Sequence, residues 1–443
     1  MTRWVSRLVA GVLLGALLAA CTAPSLAWWP GGSPTPTTTL TATHTATPTA
    51  SPTPAAPTDL RIWVTASLGP ERFPEGWRLL TRAAEGWGQR RGLQVEMRLK
   101  PDWGTAGLVE ALLWARVAAP EAAPDVVLAP VAVIEAARAK MTLPPLPEPL
   151  AAETLGPAGL YPFAQAAVLE HGQAFAYPLA AEAPVLAWPS HAAEELPTTW
   201  PQWATSPVPW TWAARDPWAW SGWALYQAAG GRVGPANEPA LVQPEPLAHM
   251  LEFLVQAHWN GALRTDARTW ADMDALWEAY RAEPAVGVVV WSSALSRAPE
   301  GWVWARLPGP DGPAPLLMRV YAWAVVTEDP RRQAVAQQWL QQATAAEWAG
   351  PWARAAGLWP VAPAALQRGW APAEAEPWAS WLPEAQPAAP LAARAAASQA
   401  LRAAIEAVLT GSTTPLEAAQ QVLQHLGAED AWPTPTVAPT PTP

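Results

Sequence analysis

Cysteine occurs once in this chain, at position 21. That excludes an intramolecular disulfide and a cluster of thiolate metal ligands. Lysine is almost missing too: Lys100 and Lys140 are the only two among 27 basic residues. With 37 acidic residues and a net charge of −10, the chain lacks the clustered positive charge that phosphate backbones demand, so no nucleic-acid partner is expected. No apolar run reaches the ~18–20 residues of a spanning helix. The six histidines (44, 171, 191, 249, 258, 425) form no HExxH pair, and there is neither a G-x-S-x-G elbow nor a P-loop. His249 and His258, nine apart on one helical pattern, read as helix-surface residues. No metal, no cofactor and no enzymatic activity is therefore expected. Scattered carboxylates leave a paired-carboxylate glycosidase open on sequence alone.

Tyrosine and phenylalanine number only 5 and 4, whereas tryptophan numbers 31 and proline 53. Arginine so outnumbers lysine, and asparagine (237 and 260 only) is so rare, that the composition points to a GC-rich genome. Tryptophan then stands where other chains place Phe or Tyr. Half of the 443 residues are apolar and only 14% are charged, enough for a sizeable core and two or three domains.

The two ends are set apart. Arg3 and Arg7 precede an apolar stretch over 8–20, closing in Leu18-Ala19-Ala20-Cys21. Residues 1–21 read as a signal peptide with a lipobox-like ending, Cys21 being the diacylated residue; removing the leader takes the charge to −12. Two acyl chains give stable anchoring to a membrane where one is marginal. Residues 22–58 contain no Asp, Glu, Lys or Arg and are rich in Thr and Pro. Such a segment buries too little apolar area to fold, and as polyproline II its reach is roughly 110 Å. It is expected to be a disordered stalk, matched by a Pro/Thr tail at 429–443.

Within the body, strands are expected at 60–65, 93–99, 124–128, 174–177, 185–188, 286–291 and 321–326. Helical patterns cover 77–89, 107–117, 218–229, 246–259, 273–281, 331–344 and 392–409. Strands alternating with helices indicate an α/β fold with a parallel sheet.

The order of motifs resembles a known family. Pro124-Asp125-Val126-Val127, Gly172 to Pro178 followed by 179–188, Pro197-Thr198-Thr199-Trp200, the aromatic helix at 218–225 leading to Gly230-Gly231, Pro308-Gly309 before 321–326, and 411–419 fall in the order and spacing of the extracellular solute-binding proteins of ABC importers, the maltose-binding-like group. The resemblance implies a two-lobed type II periplasmic binding protein fold with crossover hinge strands. Lobe one would comprise 59–180 plus 293–341, lobe two 181–292 plus 342–428. It also implies a small-molecule solute, a carbohydrate, captured between the lobes by a monomer and passed to ABC permease transmembrane subunits. The location would be the outer, extracytoplasmic face of the cytoplasmic membrane, lipid-anchored through Cys21. A cell-surface sensory or interaction module that keeps the fold without transport is the alternative.

By the same resemblance, Glu182 is placed to accept sugar hydroxyl bonds at the first crossover, the other reading being a solvated hinge residue. Trp220 is placed to stack on a pyranose face, or else in the core, with Trp223 on the adjacent turn. Trp291 and Ser292 end a strand where a second crossover is expected, and Trp103 is placed at the cleft rim. Trp323 and Trp63 are expected in the core. The turns Ala66-Ser67-Leu68 and 129–132, and Ser398 near the position of a late-helix tryptophan, depart from the maltose pattern. Maltodextrin specificity is therefore not carried over.

Overall fold

The computed structural model describes residues 57–156, 159–232, 242–282 and 284–427. The expected leader, Cys21, nearly all of the stalk and the 429–443 tail lie outside them.

Strand Asp59–Thr65 sends Leu60, Ile62 and Val64 to one face and Trp63 to the other, the period-2 alternation of a pleated strand. The first set joins Leu80 and Trp87 of helix Pro74–Arg91 and Trp339 of helix Pro330–Thr344. Trp63 joins Leu108 and Leu112 of helix Leu108–Ala118 and Ile134 of helix Val131–Lys140. Strand Val126–Pro130 is buried along its whole length, as a strand covered on both faces must be. Asp59–Thr65 pairs in parallel with Gln94–Lys100 and with Val126–Pro130. Leu317–Val325 then runs antiparallel between Val126–Pro130 and Tyr177–Glu182. Trp359–Pro360 closes the far edge against Tyr177–Glu182, and Gln386–Pro387 adds to Leu317–Val325.

A second, four-stranded sheet orders Trp302–Ala305, Pro184–Pro189, Gly287–Trp291 and Trp210–Thr211. Gly287 is required there: a Cβ on it would lie 2.3 Å from a ring carbon of Trp188. Helices Pro244–Trp259, Leu391–Leu409 and Pro415–His425 pack against one another, and Phe253 of the first stacks on Trp210 of this sheet.

Tryptophan builds both cores. Trp87, Trp323 and Trp339 meet edge to face at 5.7 and 5.9 Å, while Trp203 stacks on Trp210 at 4.0 Å and Trp200 on Phe253 at 4.6 Å. The indole N–H groups of Trp87, Trp203, Trp210, Trp323 and Trp339 are buried without a hydrogen-bond partner. An N–H left unpaired in this way marks a residue chosen for its apolar area.

The chain passes between the sheets at Ala183, through 306–316, and through 388–390. Two expectations change accordingly. After Trp291 the chain does not cross; it turns through Ser292–Arg297 and returns as Trp302–Ala305 in the same small sheet. And the segment after 341 stays with the large sheet: helix Ala346–Ala355 docks on Pro74–Arg91 through a Trp352 Nε1 bond of 2.9 Å to the Gly76 carbonyl, and Trp359–Pro360 pairs within that sheet. The last crossing waits for 388–390, where Pro390 prevents further pairing and starts the long helix Leu391–Leu409.

Candidate functional site

The strand pair Tyr177–Glu182 and Pro184–Pro189 places Glu182 at the seam between the sheets, fully buried. Its carboxylate has no lone pair to spare. Arg72 grips it bidentately, Nη1 to Oε1 and Nη2 to Oε2, both at 2.9 Å. Arg319, its neighbour across the strand pair, donates through Nε at 2.8 Å and through Nη2. Ser293 and Tyr321 each donate a hydroxyl at 2.6 Å. A carboxylate offers about four lone-pair sites, and here all are taken. Burial alone would raise its pKa; the charges of Arg319 and Arg72, with the bonds from Arg72 and Ser293, outweigh that and hold it far below the usual carboxylate range. Glu182 is thus neither a sugar-hydroxyl acceptor nor a solvated hinge residue. It is the centre of an ion cluster that ties the two sheets together.

Ser292 does related work. It is fully buried, its N–H donates to the Ala183 carbonyl at 2.8 Å, and its hydroxyl accepts from the Ala183 N–H at 3.2 Å. It staples the end of strand Gly287–Trp291 to the first crossing instead of facing a ligand. Arg72 reaches further: its Nε lies 2.9 Å from Asp274 in the first turn of helix Met273–Tyr280, a charge contact lacking the alignment of a hydrogen bond.

Beside this cluster runs a groove between the sheets. Its middle is a narrow chamber of about 60 Å³, walled by Asp102 and Trp103 from the large-sheet side and by Trp218, Trp220 and Arg394 from the small-sheet side. A chamber of about 330 Å³ shares Trp218, Trp220 and Arg319 with it and is bounded by Ser67, Arg72 and Trp291. On the other side, a chamber of about 450 Å³ shares Glu135 and Arg394 and extends to Tyr226, Gln227 and Gln386. Ligand clefts fall in roughly this size range, with aromatic walls and a few polar groups.

Three expected residues meet in this groove, each in an altered role. Trp103 is 37% exposed and lies with its ring centroid 4.9 Å from that of Trp218, so one indole from each side meets across the groove. Trp220 is 5% exposed; Arg394 covers one face at 4.1 Å and the edge of Trp291 meets it at 5.3 Å. Trp291 is covered in turn by Arg319 at 4.0 Å. Both indoles are groove walls already capped by guanidinium groups. Trp223 is 3% exposed, bonds through Nε1 to Ser398 at 2.8 Å, and only borders the larger chamber. Trp323 and Trp63 are core residues.

The arginines escaped the sequence reading, although a signal existed for two of them. Arg319 interrupts the apolar strand Leu317–Val325, and Arg394 is a lone cation in the alanine-rich start of Leu391–Leu409. Arg394 is 3% exposed, and its Nε and Nη1 have no hydrogen-bond partner. Burial pulls its pKa down to about 10 against the opposing charges of Glu135 and Asp216. Asp216 is committed elsewhere, accepting the N–H groups of Trp218 and Trp220 at 3.0 and 2.9 Å and so fixing the start of helix Trp220–Ala228. Among the described residues no group of three or more His, Cys, Asp or Glu side chains is placed to hold a metal ion, and no helix is long and apolar enough to cross a membrane.

Comparison of the sequence with family models and with curated proteins gives no match. Solved structures do resemble the fold. A cyclic alpha-maltosyl-1,6-maltose binding protein from Arthrobacter globiformis aligns over 85% of this chain and 99% of its own, with 16% identity and a TM-score of 0.66. A T. maritima protein solved with maltose bound aligns over 83% and 98%, at 19% identity and 0.66. The maltotriose binding protein of Thermus thermophilus, with maltotriose bound, aligns over 83% and 99%, at 16% identity and 0.63. The chain therefore has the two-lobed α/β fold of these binding proteins, the type II periplasmic binding architecture.

Proposed function

We propose that this chain captures a sugar or oligosaccharide in the groove between its lobes by hinge closure. It would serve as the extracytoplasmic substrate-binding lipoprotein of an ABC importer. The observation that carries this reading is the groove itself: indoles from opposite lobes, Trp103 and Trp218, wall a series of chambers beside the crossings where closure must hinge. Pyranose rings present C–H faces that pack on indoles, and a ligand touching both lobes shifts the balance toward the closed form. The fold shared with maltose- and maltotriose-binding proteins supports the same reading.

On this account the Glu182 cluster does not touch the ligand. It fixes the end of strand Tyr177–Glu182 beside the first crossing, giving closure a fixed pivot. Arg72–Asp274 adds a charge contact between the large-sheet and small-sheet sides. The protein performs no covalent chemistry. It acts as a monomer, is held to the outer face of the membrane through Cys21, and delivers its cargo to permease subunits. Titration with a panel of oligosaccharides, read by heat and by small-angle scattering, tests this. Saturable binding with a smaller radius of gyration is expected; binding of no small solute, with a macromolecular partner instead, would favour a surface interaction module.

A further inference from the structure

Among the described residues, Arg394 stands out in the groove wall as a buried cation with two nitrogens left without a hydrogen-bond partner, where Arg72 leaves only Nε so and has Glu182 and Asp274 as counter-charges. Arg394 is 3% exposed, and its Nε and Nη1 are buried without partners. The carboxylates near it are engaged elsewhere: Glu135 accepts the Leu391 N–H at 2.8 Å, and Asp216 accepts two backbone N–H groups. The neighbouring arginine, Arg319, is bound to Glu182. The Arg394 guanidinium carbon sits over the Trp220 ring, 4.1 Å from its centroid, a cation–π contact that holds the head group at the groove wall. The side chain borders both the narrow middle chamber and the 450 Å³ chamber. It stands in the first turns of a 19-residue helix, where the helix dipole disfavours a lone cation and favours an anion beside it.

Resting on the sugar-binding reading, we propose that Arg394 recognises a carboxylate on the ligand, so that the cargo is an acidic carbohydrate of the uronic-acid type. A sugar hydroxyl supplies an acceptor but no charge; a carboxylate supplies both, and charge-assisted bonds to a planar guanidinium are the stronger kind.

The test compares two oligosaccharides of equal length, one of neutral hexoses and one of the corresponding uronic acids, titrated calorimetrically into the wild-type protein at neutral pH. The uronic form is expected to bind at least about tenfold more tightly, the worth of one hydrogen bond to a charged group. In Arg394→Gln, shown to be folded by its unfolding temperature, the acidic ligand loses more affinity than the neutral one and the preference disappears. Equal or tighter binding of the neutral sugar to wild type overturns the proposal and leaves carbohydrate capture standing. Binding of neither sugar overturns both. Equal binding of a simple organic acid lacking the ring, or an acid preference that survives Arg394→Gln, also overturns it. The wild-type comparison needs no variant and decides even where Arg394→Gln fails to fold.

Discussion

Replacing Glu182 with glutamine isolates what the buried ion cluster contributes. The change keeps the shape but removes the charge and turns one oxygen into a donor. Whichever way the amide faces, its N–H₂ meets donors: Arg72 Nη2 and Ser293 on one side, Arg72 Nη1, Arg319 and Tyr321 on the other. Two guanidinium groups, with side chains 11% and 18% exposed, lose their shared counter-charge. Removing one partner of a buried pair costs about 3–5 kcal/mol, whereas an exposed pair is worth about 0–1. The burial decides for the larger figure. For a body of this size that corresponds to a fall of about 4–6 °C in the calorimetric unfolding temperature. The pH dependence gives a second reading. The folded-state pKa of Glu182 lies below its unfolded value, so its contribution is fully present above about pH 5 and is lost as pH falls through the folded value. The gap between wild type and Glu182→Gln is therefore flat from about pH 5 to 8, begins to narrow below about pH 4 and goes on narrowing as pH falls toward the folded value. A variant within about 1 kcal/mol of wild type at pH 7 would refute the assignment of Glu182 as a structural centre, and retained stability with lost sugar binding would restore it to the ligand site.

Three further outcomes are expected. Trp103→Ala, at a 37% exposed position, weakens ligand binding about five- to tenfold while moving the unfolding temperature by no more than about 2 °C, since an aromatic contact is worth about 0.5–1.5 kcal/mol; unchanged affinity in calorimetric titration removes it from the site. Asp274→Asn breaks the contact with Arg72 and lowers affinity about two- to fivefold at low salt, with the difference fading at high salt, as befits a partly exposed pair; a salt-independent loss would argue against it. Gly350→Ala destabilises the fold by about 1–3 kcal/mol or more without altering ligand choice, because the new Cβ would lie 2.2 Å from the Ala365 carbonyl oxygen, where helices Ala346–Ala355 and Pro363–Gly369 touch backbone to backbone; urea midpoints check it.

The fold was legible because its signals are local. The apolar run at 126–128, the alternation at 59–65 and the helical periods between them each declare an element within a few residues, and their order declares the architecture. The division between lobes was less so. The last crossing is set by Gln386–Pro387 pairing with Leu317–Met318, some seventy residues away in sequence, a contact with no local mark. The site was legible in place but not in role. Glu182 lies at the seam between the sheets and Trp220 in the groove wall. Their partners, Arg72 and Arg319 for the one and Arg394 for the other, come from 110, 137 and 174 positions away. Which face of an indole is free depends on such distant side chains, and in a chain with 31 tryptophans composition gives no means of choosing. A lone arginine in an apolar strand or an alanine-rich helix is the sequence mark that points to Arg319 and Arg394.

The most direct test of carbohydrate capture is calorimetric titration of the wild-type protein with neutral and acidic oligosaccharides, repeated on Trp103→Ala and Arg394→Gln. One-to-one saturable binding, weakened by both substitutions, is the predicted result. Saturable binding that neither substitution alters would place the ligand outside this groove, and the absence of binding to any oligosaccharide would contradict carbohydrate capture itself.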